Sequence, residues 1–349
     1  MKYGKILIKN IYHMLSYSFS ILKQDVYEDM ALEEFDNICG LLGTILSKGI
    51  SYQLKQGLYK EYVGREEDVS VVRGKILLAG TIEKRISRKQ LVDCSFDELS
   101  ENNVFNQILK STSKLLIKEL SDNDRELKDE LRKRMLFFGE IDEIDIRQVR
   151  FDRIVFHKHN QNYRMLIGIC QLIAECLLLS EENGEYHLAS FIDGQKMHVL
   201  FERFLREYFT KEFPELAVSS SQIAWSLDDD NTKMLPKMQT DIMIEKGNDI
   251  LIIDAKCYQS NTQVNFDKHS IISGNLYQIF SYVKNKEYSF NDPNHKVSGM
   301  LLYAKTDEDI QPNAVYQMHG NQIEVKTLDL NMDFALIKEQ LNTIVDCYF

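Results

Sequence analysis

The stretch Leu235 to Tyr258, LPKMQTDIMIEKGNDILIIDAKCY, gathers the residues of this chain best suited to chemistry. Two apolar runs, DIMIE and DILIIDAK, flank Lys246-Gly247-Asn248, a pattern that predicts a β-hairpin with a tight turn. Side chains alternate across a strand, so Asp254 and Lys256 are expected on one face, with Ile253 and Ala255 packed on the other. Asp241 opens the preceding strand, where the hairpin can bring it beside Asp254. Two carboxylates held close repel unless a cation stands between them. A hard divalent ion such as Mg²⁺ suits the pair, because it prefers a couple of carboxylates, a backbone carbonyl and retained waters. The carbonyl of Ala255 is a candidate third ligand. Lys256 would then orient or help deprotonate an attacking water and offset charge on a phosphate in the transition state. An isolated D-x-K reads more simply as a surface ion pair, but ILIID is too apolar for an exposed strand.

Two further segments supply candidates. In MHVLFERFLREYF, Phe201, Phe204, Leu205 and Tyr208 mark the core side of a helix. Glu202 on that helix could reach the metal, and an exposed helix glutamate is an equal reading. In NLYQIFSY, Gln278 and Tyr282 stand four residues apart and so share a helix face. Gln278 could touch the site or a phosphate while Tyr282 packs beneath. By contrast, His157-x-His159 lacks nearby cysteines or an HExxH and reads as surface.

The elements that must position these residues follow from periodicity. A strand running into a helix is predicted over the first ~20 residues, then a helix from Leu32 to Lys48. Short strands are predicted within residues 51–82, where Tyr52, Leu54, Leu58, Tyr59, Tyr62, Val69, Val71 and Val72 are punctuated by glycines. Helices follow over Asn102–Leu120 and over the charged, solvated stretch 122–135. Then come a mostly buried helix from Tyr163 to Leu179, an acidic loop SEENGE, and a helix from about Gln195 to Phe209. The expected class is α/β, with an α+β domain over 1–150 and a second domain over 151–349 built on a central mixed sheet flanked by helices.

Composition limits the rest. With 44% apolar residues and four prolines the chain is globular. Neither a signal peptide nor a membrane span is expected, and six cysteines without CxxC spacing suit a reducing cytoplasm. A net charge of −11 is unlike a protein that holds duplex DNA unaided, since phosphate neutralisation supplies most such affinity.

Taken together, the motifs resemble the PD-(D/E)xK nuclease superfamily, with TD-x12-DAK as metal centre and QxxxY as in its RecB-like branch. The ordered series IKNIYHMLSYSF, VRGKILLAGTI, DELSENNVFNQILKST, FIDGQKMHVLFERF, LPKMQTDIMI, IIDAKCY and NLYQIFSYV is similar to the McrC family over essentially the whole chain. McrC proteins are the nuclease subunits of McrBC modified-cytosine restriction systems. The resemblance implies a PD-(D/E)xK endonuclease domain that hydrolyses DNA phosphodiester bonds with Mg²⁺. It further implies a McrB-like AAA+ GTPase hexamer as partner, docked through the N-terminal region, and double-stranded DNA carrying 5-methylcytosine as target. No GxxxxGK[ST] loop occurs, so GTP would be bound by the partner. Arg73, Arg85, Arg88 and Arg132–Arg134 are conceivable donors to that GTPase, each also readable as a surface charge. Two other readings stay open: a non-catalytic activator of the GTPase, which an intact triad disfavours, and a free-standing RecB-like exonuclease, which the acidic charge disfavours.

Overall fold

A strand as apolar as ILII needs cover on both of its faces. In the computed structural model, which describes residues 2–3, 6–19, 35, 38–181, 194–229, 231–258, 260–265, 268–290 and 294–349, a six-stranded mixed sheet provides it. Its strands run in the spatial order Ala314–Met318, Asn321–Leu328, Lys296–Ala304, Asp249–Lys256, Ile242–Lys246 and Ala217–Ser219. Asp249–Lys256, Lys296–Ala304 and Asn321–Leu328 are parallel, and the outer strands pair antiparallel. The class is α/β with a mixed central sheet, as expected.

The hairpin forms as the sequence requires. Lys246 pairs with Asp249, leaving Gly247-Asn248 as a two-residue loop, and Gly247 supplies the positive φ of +61°. A glycine at the first loop position is what a hairpin turn of this hand needs. Pairing of the hairpin ends at Ile253 opposite Ile242. Ile250 and Ile252 face a core with Met243, Val297, Leu301, Tyr303, Ile323 and Val325. The helix Ser273–Tyr288 covers that core through Ile279, Tyr282 and Val283. Leu251, Ile253 and Ala255, of the opposite parity, are equally buried. The helix Gly194–Glu212 packs against the same strand, inserting Phe201, Phe204, Leu205, Tyr208 and Phe209 into the interior.

The chain divides into two compact units, Met1–Ile38 with His187–Phe349, and Cys39–Tyr186. The expected boundary near residue 150 therefore moves. Residues 1–38 group with the sheet because the helix Ile8–Ser18 lies on Gly194–Glu212, and Asn10 Nδ2 donates to the carbonyls of Leu330 and Met332 at 2.8 Å each. Residues 151–186 group with the other unit because the helix Tyr163–Glu181 packs on Val104–Glu119, where the Tyr163 hydroxyl donates to Asn106 Oδ1 at 2.9 Å.

The second unit holds a three-stranded antiparallel sheet, Glu61–Val69, Val92–Ser100 and Lys75–Ile76, with the helices Ile38–Gln56, Leu78–Ile86, Val104–Glu119, Arg125–Met135 and Tyr163–Glu181. Several expectations shift here. The helix predicted to stop at Lys48 continues to Gln56, because Leu42, Ile45, Leu46, Ile50 and Gln53 keep a buried helical spacing. Tyr52 and Leu54 are therefore helical. The start of that predicted helix, apart from Phe35, lies outside the described residues, as does most of the SEENGE loop. Leu78–Ile86 is a helix rather than strand, and the strand Val92–Ser100 went unread although Val92, Cys94 and Phe96 alternate.

Gly299 fixes how closely the helix Ser273–Tyr288 approaches the sheet. A Cβ there would come within 2.8 Å of Ile279 and Val283 side-chain atoms and 2.9 Å of Ile323. Gly299→Ala is expected to overpack this contact and destabilise the protein by roughly 1–3 kcal/mol, read as a lower urea midpoint at unchanged slope. An unchanged midpoint would show that the helix can yield without cost.

Candidate active site

The far end of the buried strand carries the charges. Asp254 is 1% exposed and Lys256 6%, while Asp241, immediately before Ile242, is half-buried. Asp241 Oδ2 accepts the Ala255 backbone N–H at 2.9 Å, which locks this carboxylate across the end of the hairpin. Lys256 Nζ stands 2.8 Å from Asp254 Oδ2. Neither Asp254 oxygen, however, receives a well-directed hydrogen bond from another group. Burial, reinforced by the neighbouring Asp241, raises the Asp254 carboxyl to about 7 despite the opposing charge of Lys256. Burial pulls the Lys256 ammonium down, but Asp254 outweighs it and the net shift is upward. The ammonium is therefore the favoured form of Lys256.

The predicted residues meet here to different degrees. Lys256 Nζ donates to Gln278 Oε1 at 3.3 Å, and Gln278 Nε2 donates to the Tyr282 hydroxyl at 3.1 Å. Gln278 thus touches the lysine, and Tyr282 is the buried residue beneath it. Glu202 is partly buried on Gly194–Glu212. Burial and then Asp241 raise its carboxyl, and Arg206, one turn on, stands 3.9 Å away as its ionic partner. Among the described residues no three His, Cys, Asp or Glu side chains form a ready-made cage for a metal. The donor set is two carboxylates, one of them buried with both oxygens lacking a directed partner. That suits an oxygen-seeking cation that keeps much of its water, as Mg²⁺ does.

His198 escaped the sequence reading. It precedes Glu202 by four residues, so both occupy one face of Gly194–Glu212. Its Nδ1 is buried without a hydrogen-bond partner, and its ring stacks on Tyr258 with centroids 6.4 Å apart. Burial lowers its titration, Asp241 opposes and Lys256 adds to the lowering, which places it in the electrostatic field of the same pair. The His198/Glu202 spacing repeats that of Gln278/Tyr282 and was a usable signal.

The family described as "McrBC 5-methylcytosine restriction system component" matches residues 5–304. The chain belongs to this family. Its match covers the helix Ile8–Ser18, the whole second unit and the sheet as far as Ala304. The chain is also 28% identical over 353 residues to the type IV methyl-directed restriction enzyme EcoKMcrBC of Escherichia coli K12, spanning 100% of this chain and 99% of that protein. In fold it is similar to a chain from the half-complex of the tetradecameric assembly of Thermococcus gammatolerans McrB AAA+ hexamers with bound McrC. That likeness has a TM-score of 0.53 at 18% identity and covers 95% of this chain and 75% of the other.

Outside the site, His157 and His159 are exposed. Arg73 lies over the Phe96 ring at 4.4 Å and 3.9 Å from Glu98, while Arg132 and Arg134 pair along their own helix with Asp129 and Glu130. Arg85 and Arg88 are exposed in the chain's second unit. Among the described residues no helix is long and apolar enough to cross a membrane.

The raised Asp254 carboxyl has a thermodynamic consequence. Between its unfolded value of 3.8 and about 7 the folded state holds a proton that the unfolded state has released. Stability therefore falls as pH rises through that window. Without divalent ions, Asp254→Asn should flatten this part of the stability–pH curve, measured by urea unfolding from pH 4 to 8. At pH 8 Mg²⁺ should raise the melting temperature of the unsubstituted protein and leave that of Asp254→Asn unmoved. Equal Mg²⁺ effects on both proteins would contradict a cation site at Asp254.

Proposed function

We propose that this chain is the DNA-cleaving subunit of a modification-directed restriction system, a Mg²⁺-dependent endonuclease with the PD-(D/E)xK arrangement of Asp241, Asp254 and Lys256. The observation that carries the reading is the convergence of the two carboxylates and the lysine at the end of a buried strand, in a member of a restriction-system family. Mg²⁺ held by Asp241 and Asp254, with the Ala255 carbonyl as a further donor, would polarise the scissile phosphodiester and lower the pKa of water. Asp241, tethered by the Ala255 N–H, keeps its carboxylate aimed without reorganisation. The Lys256 ammonium, held by Asp254 and Gln278, is placed to offset charge growing on the phosphate. Its raised titration favours this electrostatic role over proton abstraction. His198 and Glu202, on the helix Gly194–Glu212, feel the charges of Asp241 and Lys256.

The partner we propose is a McrB-like AAA+ GTPase hexamer, with double-stranded DNA carrying modified cytosine as the target. Two observations support delegation of DNA handling. The net charge is −11, which opposes unaided binding to a polyanion. In the second unit the helix Leu78–Ile86 buries none of its residues, and Leu78, Ile82 and Ile86, spaced four apart, are exposed by 72%, 56% and 77%. An apolar helical stripe left in water marks an interaction surface.

Methylated and unmethylated plasmid should be incubated with Mg²⁺, with and without the neighbouring AAA+ protein and GTP. Cutting is expected only when methylation, partner and GTP are all present, and Asp254→Ala or Lys256→Ala should reduce it below detection. Retained cutting by either variant would sink the site assignment, and cutting by this chain alone would favour a free-standing nuclease. The triple change Leu78→Asp, Ile82→Asp, Ile86→Asp should abolish stimulation of the partner's GTP hydrolysis while leaving the melting curve within about 1 kcal/mol, as surface substitutions do. Undiminished stimulation would move the docking surface elsewhere.

A further inference from the structure

A second amide on the helix Ser273–Tyr288 repeats the arrangement of Gln278. Asn275, Gln278 and Tyr282 stand at i, i+3 and i+7, so they share the face turned to the sheet. Gln278 takes the Lys256 ammonium. Asn275 is 7% exposed and spans two tyrosines: its Nδ2 donates to the Tyr303 hydroxyl at 2.9 Å, and its Oδ1 accepts from the Tyr258 hydroxyl at 3.4 Å. Tyr303 is fully buried on the neighbouring strand, in register with Lys256. Tyr258 lies two residues past Lys256, where the chain leaves the strand, and it is 39% exposed.

Tyr258 is thus an aromatic ring kept at the surface with its hydroxyl tied down beneath. One side stacks on His198, whose Nδ1 also lacks a partner, and Tyr303 lies 6.5 Å away. The ring thus stands two residues past Lys256 and against His198, the histidine that feels the charges of Asp241 and Lys256. In a chain of net charge −11, a contact that gains nothing from phosphate neutralisation is the kind that can still favour a nucleic acid strand. Aromatic rings supply it by stacking on nucleosides, largely independent of sequence.

Resting on the nuclease reading above, we infer that Tyr258 contacts the DNA strand being cut, its ring against the nucleoside next to the scissile phosphate. Asn275 is its positioning residue. Lys256 and Tyr258 are then held by paired amides from a single helix face, one for the phosphate and one for the nucleoside.

The test is single-turnover cleavage of methylated duplex by the full chain with its AAA+ partner, GTP and Mg²⁺. Lys256→Ala serves as the control, and thermal melts check folding. Tyr258→Ala is expected to slow cleavage by about tenfold or more, the scale of one aromatic–nucleoside contact, at every salt concentration alike. Tyr258→Phe and Asn275→Ala should each slow it less. Their combination should be no slower than Asn275→Ala alone, since without the hydroxyl Asn275 has nothing to hold. Should Asn275→Ala melt low, Asn275→Asp, which keeps the acceptor, is expected to cleave at close to the parent rate, and a tenfold loss there would overturn the positioning role. Multiplying losses in the double variant would also overturn it and assign Asn275 to the support of Tyr303. Parent-rate cleavage by Tyr258→Ala, with Lys256→Ala inactive, would overturn the substrate contact and leave the nuclease reading standing. Absence of cleavage by the unsubstituted complex, or full cleavage by Lys256→Ala, would bring down both.

Discussion

The structure around the candidate site depends on one electrostatic constraint, the burial of the Asp254 carboxylate at the end of a strand covered on both faces. A carboxylate in such a place either takes up a proton or finds a cation. Lys256 meets the need in part, at the cost of adding a second buried charge, and Gln278 then satisfies the lysine. Asp241 would worsen the repulsion if it were free to move, but the Ala255 N–H ties it. Each further residue answers a demand created by the one before it. The result is a small group of charges whose positions are set before any ligand arrives, the condition under which electrostatic stabilisation of a transition state is effective.

What holds this group in place is apolar packing at a short distance. The Gln278 helix can reach Lys256 only because it lies close on the parallel strand Lys296–Ala304, and Gly299 provides the space. On the other side, the aromatic run Phe201 to Phe209 seats the helix bearing His198 and Glu202. Polar positions of the site thus sit one or two residues from fully buried apolar ones on all three supporting elements. Precision at the site is inherited from packing density, since close-packed interiors leave side chains little room to shift.

The hairpin, its turn and the pairing of Asp241 with the Asp254 strand were legible because they follow from local rules: alternation, a glycine turn and an apolar run too long to be exposed. Gln278 and Tyr282 were legible as a shared helix face, but their partner was not, because nothing local says which strand the helix covers. His198 was missed although its spacing to Glu202 was visible, since a lone histidine on an apolar helix is usually core. Asn275 and Tyr258 were out of reach for the same reason: their roles arise from register with Tyr303 across a parallel pair separated by a whole helix. The division into units was misjudged because sequence order was taken as spatial order. Asn10, which joins the N-terminal helix to Leu330 and Met332, carries no sign of so distant a partner.

That division bears on how the protein comes into being. The unit carrying the sheet is interrupted by the whole of Cys39–Tyr186, so its first helix must wait for strands made far later. Domains generally fold as their residues leave the ribosome, N-terminal portions first. The inserted unit is contiguous in sequence, so all of its own packing partners exist while the sheet is still being synthesised. A nascent or prematurely ended chain would therefore hold a finished inserted unit and no assembled charge cluster. The order of synthesis itself withholds that cluster until the rest of the molecule is built.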